Sequence, residues 1–475
     1  MTKRTKIIAT IGPASSSSSI IARLIRAGMD AARLNFSHGE LKDHSRRIRL
    51  IRQEAKKAGK QLAIIQDLQG PKLRVGIVQD DAVVLKRGDT VTLTTRKVIG
   101  TSGLISVLYP RLAKDLKIGN TVLLDDGRLE LTVVKKRAPG LACRVVRGGV
   151  LRSRKGVNLP GARLSLPSLS EKDKKDLIFG VEHGVDYIAL SFVRTANDIL
   201  QARRFLHALG ANVPIIAKIE KPEAIQNLDE IILAADGVMV ARGDLGVEMS
   251  PEQVPLLQKR IIKACNEAER PVITATQMLE SMIENPQPTR AEASDVANAI
   301  LDGSDCVMLS GETAVGKYPV LSVEFMAKIA GQTDASLSPR PPDVYIHTTG
   351  ESMAHAACRA AEEVPARVIV TFTQSGSTAL LVSKHKPNVP IIAATPFERV
   401  ARKMSLYWGV TPVILKTGKT TDDMIAAVER AMLKQKLVKA RDLIVLTAGV
   451  PIGVAGSTNL MKIHHVGEAK SLETR

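Results

Sequence analysis

Short apolar runs alternate with longer amphipathic stretches from the start of the chain. The pattern predicts strands at Lys6–Ile11, Ala31–Asn35 and Leu62–Asp67. A serine-rich cap over Ser15–Ser19 opens a helix reaching Ala27, and a second helix runs from about Leu41 to Ala58. From Gly70 to about Leu166 the helical period disappears. Val83–Leu85, Thr90–Thr94, Thr121–Leu124 and Leu129–Val134 read as short strands, with turns at Gly88-Asp89, Gly119-Asn120 and Asp126-Gly127. After Ser168-Leu169-Ser170-Glu171, which resembles a capping box, the alternation resumes. Strands are predicted at Asp186–Phe192, Val213–Ile219, Gly237–Ala241, Pro271–Thr276 and Asp305–Leu309, each followed by a helical stretch.

Eight strand–helix units with one all-β interruption match a (β/α)8 TIM barrel carrying an inserted small β-barrel domain. Ser338-Pro339-Arg340-Pro341-Pro342 reads as a linker. Beyond it, strands at Arg367–Thr371, Ile391–Ala393, Val413–Leu415 and Leu443–Leu446, with helices at Met353–Glu363 and Asp422–Leu433, predict a doubly wound α/β domain. The expected division is barrel 1–69, inserted domain 70–166, barrel again 167–338 and C-terminal domain 339–475.

The chemistry gathers where the predicted strands end. In a strand, residues i and i+2 point the same way. Lys218 and Glu220 therefore share a face, with Ile216 behind them. Glu220 suits a hard cation and Lys218 a phosphoryl oxygen, although a plain structural Lys–Glu pair remains an alternative. Asp244 offers a second carboxylate, flanked by Gly243 and Gly246, and two carboxylates at neighbouring strand ends suit Mg²⁺. Arg33, Asn35 and Ser37 alternate onto one side, offering a guanidinium for phosphate and oxygens for a cation, or simply a polar strand end. Asp67 can join Asn35 and Ser37, and Arg74 follows across the Gly70-Pro71 hinge. Thr276 precedes a helix start that favours an anion or merely caps it. Thr373-Gln374-Ser375-Gly376-Ser377-Thr378 lies between a strand and a helix, the setting of a phosphate cradle or of a multiply capped helix.

Composition narrows the classes. The net charge of +19 raises a nucleic-acid or membrane-surface role, but the basic residues are spread and aromatics are only 3%. Neither partner is expected; anionic metabolites meeting a broadly basic surface fit better. The four cysteines show no CxxC spacing, so no zinc site or disulfide framework is expected. No apolar run approaches the roughly 20 residues that span a bilayer, and Met1–Lys6 lacks a signal-like apolar stretch. A cytoplasmic location is expected.

Several stretches together closely resemble the pyruvate kinase family along essentially the whole chain: Arg33–Gly39, Arg154–Gly161, Ala217–Glu220, Ala241–Gly246, Ala275–Met282 and Pro288–Asn298. The resemblance implies transfer of the phosphoryl group of phosphoenolpyruvate to ADP, giving pyruvate and ATP. It assigns Mg²⁺, for which Mn²⁺ can substitute, to Glu220 and Asp244. It puts Lys218 and Arg33 on the phosphoryl group, and Gly243, Asp244 and Thr276 on the substrate carboxylate. Ser310 and Glu312, with Thr276, would organise a proton-delivering water. Asn35, Phe36, Ser37, His38, Arg74 and Lys155 would meet the nucleotide. It further implies a lid-like inserted domain, a homotetramer, and a phosphorylated effector at Thr373–Thr378. The nearest rivals are a Mg²⁺-dependent enolate-stabilising barrel lyase and a basic nucleic-acid-binding protein on a decayed scaffold.

Two departures stand out. Family members often carry Asn where this chain has Lys221, which alternates to the other face and is expected to matter little. Many members also read Asp-Thr-Lys-Gly-Pro-Glu where this chain has Asp67-Leu68-Gln69-Gly70-Pro71-Lys72. The carboxylate associated with potassium is replaced by an amine. Lys72 is therefore expected to supply the charge in or beside a monovalent-cation pocket of Asn35, Ser37, Asp67 and Leu68, making K⁺ dispensable.

Overall fold

The computed structural model describes residues 3–137, 140–162, 164–165, 167–337, 348–416, 418, 420–450 and 458–468. The predicted linker at 338–342 and the expected division points at 166 and 338 lie outside them.

Eight parallel strands close into a barrel: Lys6–Thr10, Ala31–Asn35, Ala63–Asp67, Tyr187–Leu190, Ile215–Ile219, Gly237–Ala241, Val272–Ala275 and Cys306–Leu309. Each is buried along most of its length because both faces are covered. Outward residues such as Ile7, Leu34, Ile64, Ile219, Val240 and Val307 pack against the ring of helices. Inward residues Ile8, Ala31, Ile65, Tyr187, Ile216, Met239, Ile273 and Met308 fill the barrel. The period of two then delivers the next inward residues, Thr10, Arg33, Asp67, Lys218 and Glu220, to the C-terminal ends. Caps fall near the predicted places. Ser17 Oγ accepts from Ile20 N at 3.3 Å. Ser170 and Asp173 cap one another, and Asp173 also accepts from the Gly70 N–H at 3.0 Å.

The insertion takes the form of a six-stranded mixed sheet and a two-stranded ribbon. The sheet order is Val157–Asn158, Thr121–Leu124, Leu129–Arg137, Gly140–Arg147, Thr90–Thr94, Leu104–Ser106, and the ribbon pairs Ala82–Leu85 with Gly149–Arg152. Its own core includes Val91, Leu93, Ile105, Val122, Leu131 and Cys143. The strands after Gly140 went unpredicted because Arg144, Arg147, Arg152 and Arg154 blur the apolar pattern there. Gly70, at φ +68°, makes the hinge. A Cβ there would lie 2.6 Å from the Phe192 ring, so only glycine fits.

The C-terminal sheet has the order Val410–Ile414, Ile391–Thr395, Val368–Phe372, Leu443–Gly449, Thr458–His465. Four strands are parallel; the last is antiparallel, an edge strand too polar to predict. The strand predicted at Val413–Leu415 starts earlier, at Val410. Pro412 is tolerated because this strand is also an edge. Helices cover both faces of the sheet.

This domain seals the barrel floor. Tyr187 Oη donates to Lys403 O at 2.9 Å and Lys6 Nζ to Val410 O at 2.7 Å. Lys384 Nζ enters the barrel underside, bonding Asp305 Oδ2 at 2.5 Å, Arg270 O at 2.6 Å and Asn266 Oδ1 at 3.1 Å. Both partners of this ion pair are almost wholly buried. Removing one end of such a pair strands the other charge. Lys384→Met is therefore expected to cost about 3–5 kcal/mol, read as a lower urea midpoint. A companion Asp305→Leu change should recover part of the loss. A loss below about 1 kcal/mol would show the pair to be dispensable.

Candidate active site

A charged layer sits directly on the apolar plug of the barrel. Lys218 Nζ contacts Glu220 Oε1 at 2.8 Å, Asp67 Oδ1 at 3.2 Å and Ser191 Oγ at 2.7 Å. Arg33 Nε donates to Asp67 Oδ2 at 2.6 Å and its Nη1 to Thr10 Oγ1 at 3.1 Å. Lys218, Asp67 and Glu220 are exposed by 7%, 1% and 1%, so every charge must be met by a neighbour. Burial alone would drive Lys218 towards neutrality. Asp67, Glu220 and Asp244 instead hold its ammonium charged, above the usual lysine range. Burial would likewise raise the Asp67 carboxyl, but Lys218 and Arg33 keep it below its ordinary value.

Glu220 behaves differently. Burial pushes its carboxyl up and the like charge of Asp244 adds to the rise, against Lys218 and a 2.9 Å bond from Phe192 N. Asp244 stands in the first turn of the short helix Arg242–Glu248, where the sixth barrel strand ends. Gly243 N, one residue earlier, donates to Thr276 Oγ1 at 2.7 Å. Thr276 at φ +71°, Gln277 at φ +54° and Phe192 at φ +58° all hold left-handed backbone, a strain that collects at functional sites. Arg242 fastens this corner, donating to Thr276 O at 2.7 Å and Asp295 Oδ1 at 2.7 Å. Across the site, Glu312 accepts from Ser310 N at 2.7 Å and Leu279 N at 3.1 Å, and burial raises its carboxyl. Ser310 Oγ is buried without a partner among the described residues.

The residues expected to meet a nucleotide are only partly assembled. Burial lowers the His38 imidazole, and Arg74, Lys72 and Arg33 lower it further, so these cations share one region. Arg74 Nη1 donates to Arg154 O at 3.0 Å, and Lys155 pairs with Asp125 at 2.8 Å, both within the inserted domain. Within the Asn35–His38 segment, the Phe36 ring is buried and stacks on His44 at 4.0 Å. Lys72 forms no ion pair with Asp67. Asn35 Oδ1 accepts from Ser37 N at 3.0 Å, and Leu68 O from Ser191 Oγ at 2.8 Å.

Two family models, described as the pyruvate kinase barrel domain and the pyruvate kinase alpha/beta domain, match residues 2–323 and 351–464. The chain belongs to the pyruvate kinase family. It is 48% identical to the pyruvate kinase of Geobacillus stearothermophilus, over 98% of this chain and 81% of that one. It is 47% identical to that of Staphylococcus aureus strain MRSA252, over the same shares. A crystal structure of a pyruvate kinase from Cryptosporidium parvum superposes with a TM-score of 0.91 at 37% identity, covering 98% of this chain and 96% of that one. The reaction is that of the family: phosphoryl transfer from phosphoenolpyruvate to ADP, the last step of glycolysis. Pyruvate kinases are Mg²⁺-dependent. Glu220 and Asp244 suit that ion, as two oxygen donors whose mutual repulsion a divalent cation relieves. Among the described residues no helix is long and apolar enough to cross a membrane.

Sequence reasoning missed Ser191, Thr10, Phe192 and Arg242. Ser191 follows Ala189 by two in a predicted strand, and Thr10 follows Ile8 likewise, so the same alternation marks them. Phe192 meets Glu220 through its backbone N–H, which leaves no sequence signal.

Glu220 implies a testable linkage. A carboxyl whose folded pKa is raised destabilises the folded state as pH rises through that value. In metal-free protein, Glu220→Gln should therefore raise the melting temperature at pH 8, with the gain shrinking as the pH falls below the carboxyl's range. The same substitution should remove the stabilisation that added Mg²⁺ gives the unaltered protein. A lower melting temperature at pH 8 would show the Lys218 pairing to outweigh the burial of Glu220.

Proposed function

We propose that the strand-end residues divide the pyruvate kinase reaction as follows, the supporting observation being the buried Lys218–Asp67–Glu220 cluster beside Asp244. Glu220 and Asp244 hold Mg²⁺, which when bound supplies positive charge to the phosphoryl group and the substrate. Lys218 and Arg33 bind the phosphoryl oxygens. Asp67 and Ser191 fix both cations in place, so little reorganisation is needed as charge develops. The backbone N–H groups of Gly243 and Asp244, with the Thr276 hydroxyl, hold the substrate carboxylate at the start of the helix Arg242–Glu248. The hydroxyl now accepting from Gly243 N is the one that turns to the substrate. After transfer the enolate takes a proton from water ordered by Thr276, Ser310 and Glu312. The unpartnered Ser310 Oγ supports a water there.

The segment Asn35–His38, with Arg74 and Lys155, receives the ADP phosphates, and the inserted domain closes as a lid that excludes water. The domain division is 1–69 and 167–338 for the barrel, 70–166 for the lid and 339–475 for the C-terminal part, with a homotetramer as the assembly. Lys218→Met should lower phosphoryl transfer about a hundred- to a thousandfold while pyruvate still exchanges its methyl protons. Asp244→Asn should abolish Mg²⁺-dependent turnover with the circular dichroism unchanged. Survival of phosphoryl transfer in either variant refutes the assignment.

The enzyme also works without K⁺. Asp67 already accepts from Arg33 and Lys218, and Asn35 and Leu68 have donors of their own. Lys72, beside His38, supplies positive charge next to this pocket rather than within it. Activity in buffer free of potassium, sodium and ammonium, at matched ionic strength, should change little when KCl is added. Strong stimulation refutes the reading. Lys72→Glu should lower the activity and make the remainder respond to K⁺.

A phosphorylated metabolite, a sugar phosphate or AMP, activates the enzyme at Thr373–Thr378. The turn lies between the strand Val368–Phe372 and the helix Ser377–Lys384, with Gly376 at φ +91° and Thr373 Oγ1 accepting from Gly376 N at 2.9 Å. Ser377→Glu puts a carboxylate in the phosphate's place and should abolish activation; unchanged activation by glucose 6-phosphate, ribose 5-phosphate or AMP, whichever activates the unaltered enzyme, counts against the site.

A further inference from the structure

We propose that Glu248 is a positioning residue that latches the inserted domain to the barrel through Asn158 and Lys221. Glu248 is the last residue of the helix whose first turn carries Gly243 and Asp244. Its Oε1 accepts from Asn158 Nδ2 at 2.7 Å and from Lys221 Nζ at 2.5 Å. Glu248 and Asn158 are buried, and Lys221 is nearly so. Asn158 belongs to the inserted domain, in the strand Val157–Asn158 that pairs with Thr121–Leu124. Lys221 belongs to the barrel and directly follows Glu220. The carboxylate therefore joins a donor from the inserted domain to a donor from the barrel, and both bonds are charge-assisted.

The same residues reach the hinge. The Lys221 ammonium stands 5.3 Å from the centroid of the Phe192 ring. Phe192 donates its N–H to Glu220, and its ring lies where a Cβ on Gly70 would clash. Hinge, metal carboxylate, Lys221, Glu248 and lid thus form one closed circuit of contacts. Lys221 does point away from Lys218 and Glu220, as alternation requires. It nonetheless supplies the cation that meets the buried Glu248 carboxylate, at 2.5 Å. Opening the lid breaks the Asn158 bond and leaves the Glu248 oxygen with one donor fewer in a buried setting. The latch therefore favours the closed arrangement before any substrate arrives. The nucleotide then has less closing to drive, and its apparent affinity rises by the closed fraction.

The kinetic consequence rests on the reading that Arg74 and Lys155, on the lid, meet ADP; the latch itself does not. Two measurements separate them. Amide hydrogen exchange of the substrate-free enzyme reads the latch alone. Asn158→Ala should speed exchange by threefold or more over residues 70–75 and 154–159. Steady-state kinetics of the same variant should show KM for ADP raised about three- to tenfold, with kcat and KM for phosphoenolpyruvate within about twofold. Glu248→Ala should do the same. Glu248→Gln, whose amide oxygen can still accept from Asn158, should recover most of the ADP affinity. Unchanged exchange in Asn158→Ala overturns the latch. So does a Glu248→Ala enzyme that loses kcat and melting temperature together with both KM values unmoved, since that marks a purely structural residue. Faster exchange with an unchanged KM for ADP upholds the latch and refutes the nucleotide role of Arg74 and Lys155.

Discussion

The constraint on which the rest depends is the burial of Lys218. An ammonium exposed by only 7% at the mouth of an apolar barrel is costly unless anions meet it. Asp67 and Glu220 meet it, and Arg33 in turn meets Asp67. The cluster is overdetermined on the side of Asp67 and underdetermined on the side of Glu220, whose carboxyl burial and Asp244 push upward. Lys218 pairs with both carboxylates, and Asp67 alone has a second cation, Arg33.

Backbone strain gathers at the same edge. Phe192, Thr276 and Gln277 hold left-handed conformations next to the carboxylates, while the strands beneath them are regular. The regular part is a rigid support, and the irregular part aims N–H groups and hydroxyls that a straight strand would direct elsewhere. Arg242 has a supporting role of this kind: it touches Thr276 O and Asp295 and so fixes the corner that presents Thr276.

Much of this was legible in the amino-acid sequence because period-two alternation carries both the core and the site. Ile216, Lys218 and Glu220 form one such series, and Ile65 with Asp67 another. Buried parallel strands between amphipathic helices announce themselves, and the eight barrel strands lie within one or two residues of expectation at most ends. The inserted domain was less legible, since its later strands are rich in arginine and pair over long distances. The edge strand Thr458–His465 is polar along one side and gave no signal. Within the Asn35–His38 segment, the Phe36 ring belongs to the helix layer against His44, which its polar motif neighbours gave no sign of. Lys221 points where alternation puts it, and there it meets Glu248 and the Phe192 ring. Alternation says where a side chain points, and says nothing of what waits there on another element.

The sealed barrel floor bears on how this architecture can change over time. Tyr187, Lys6 and Cys306 spend their polar atoms on carbonyls of the C-terminal part, at Lys403, Val410 and Leu406. A barrel inherited without that part would present a lysine, a tyrosine and a thiol around an open apolar plug. The two units are therefore poor candidates for exchange between genes, although each has a sheet of its own. The inserted domain is different: it carries a separate core.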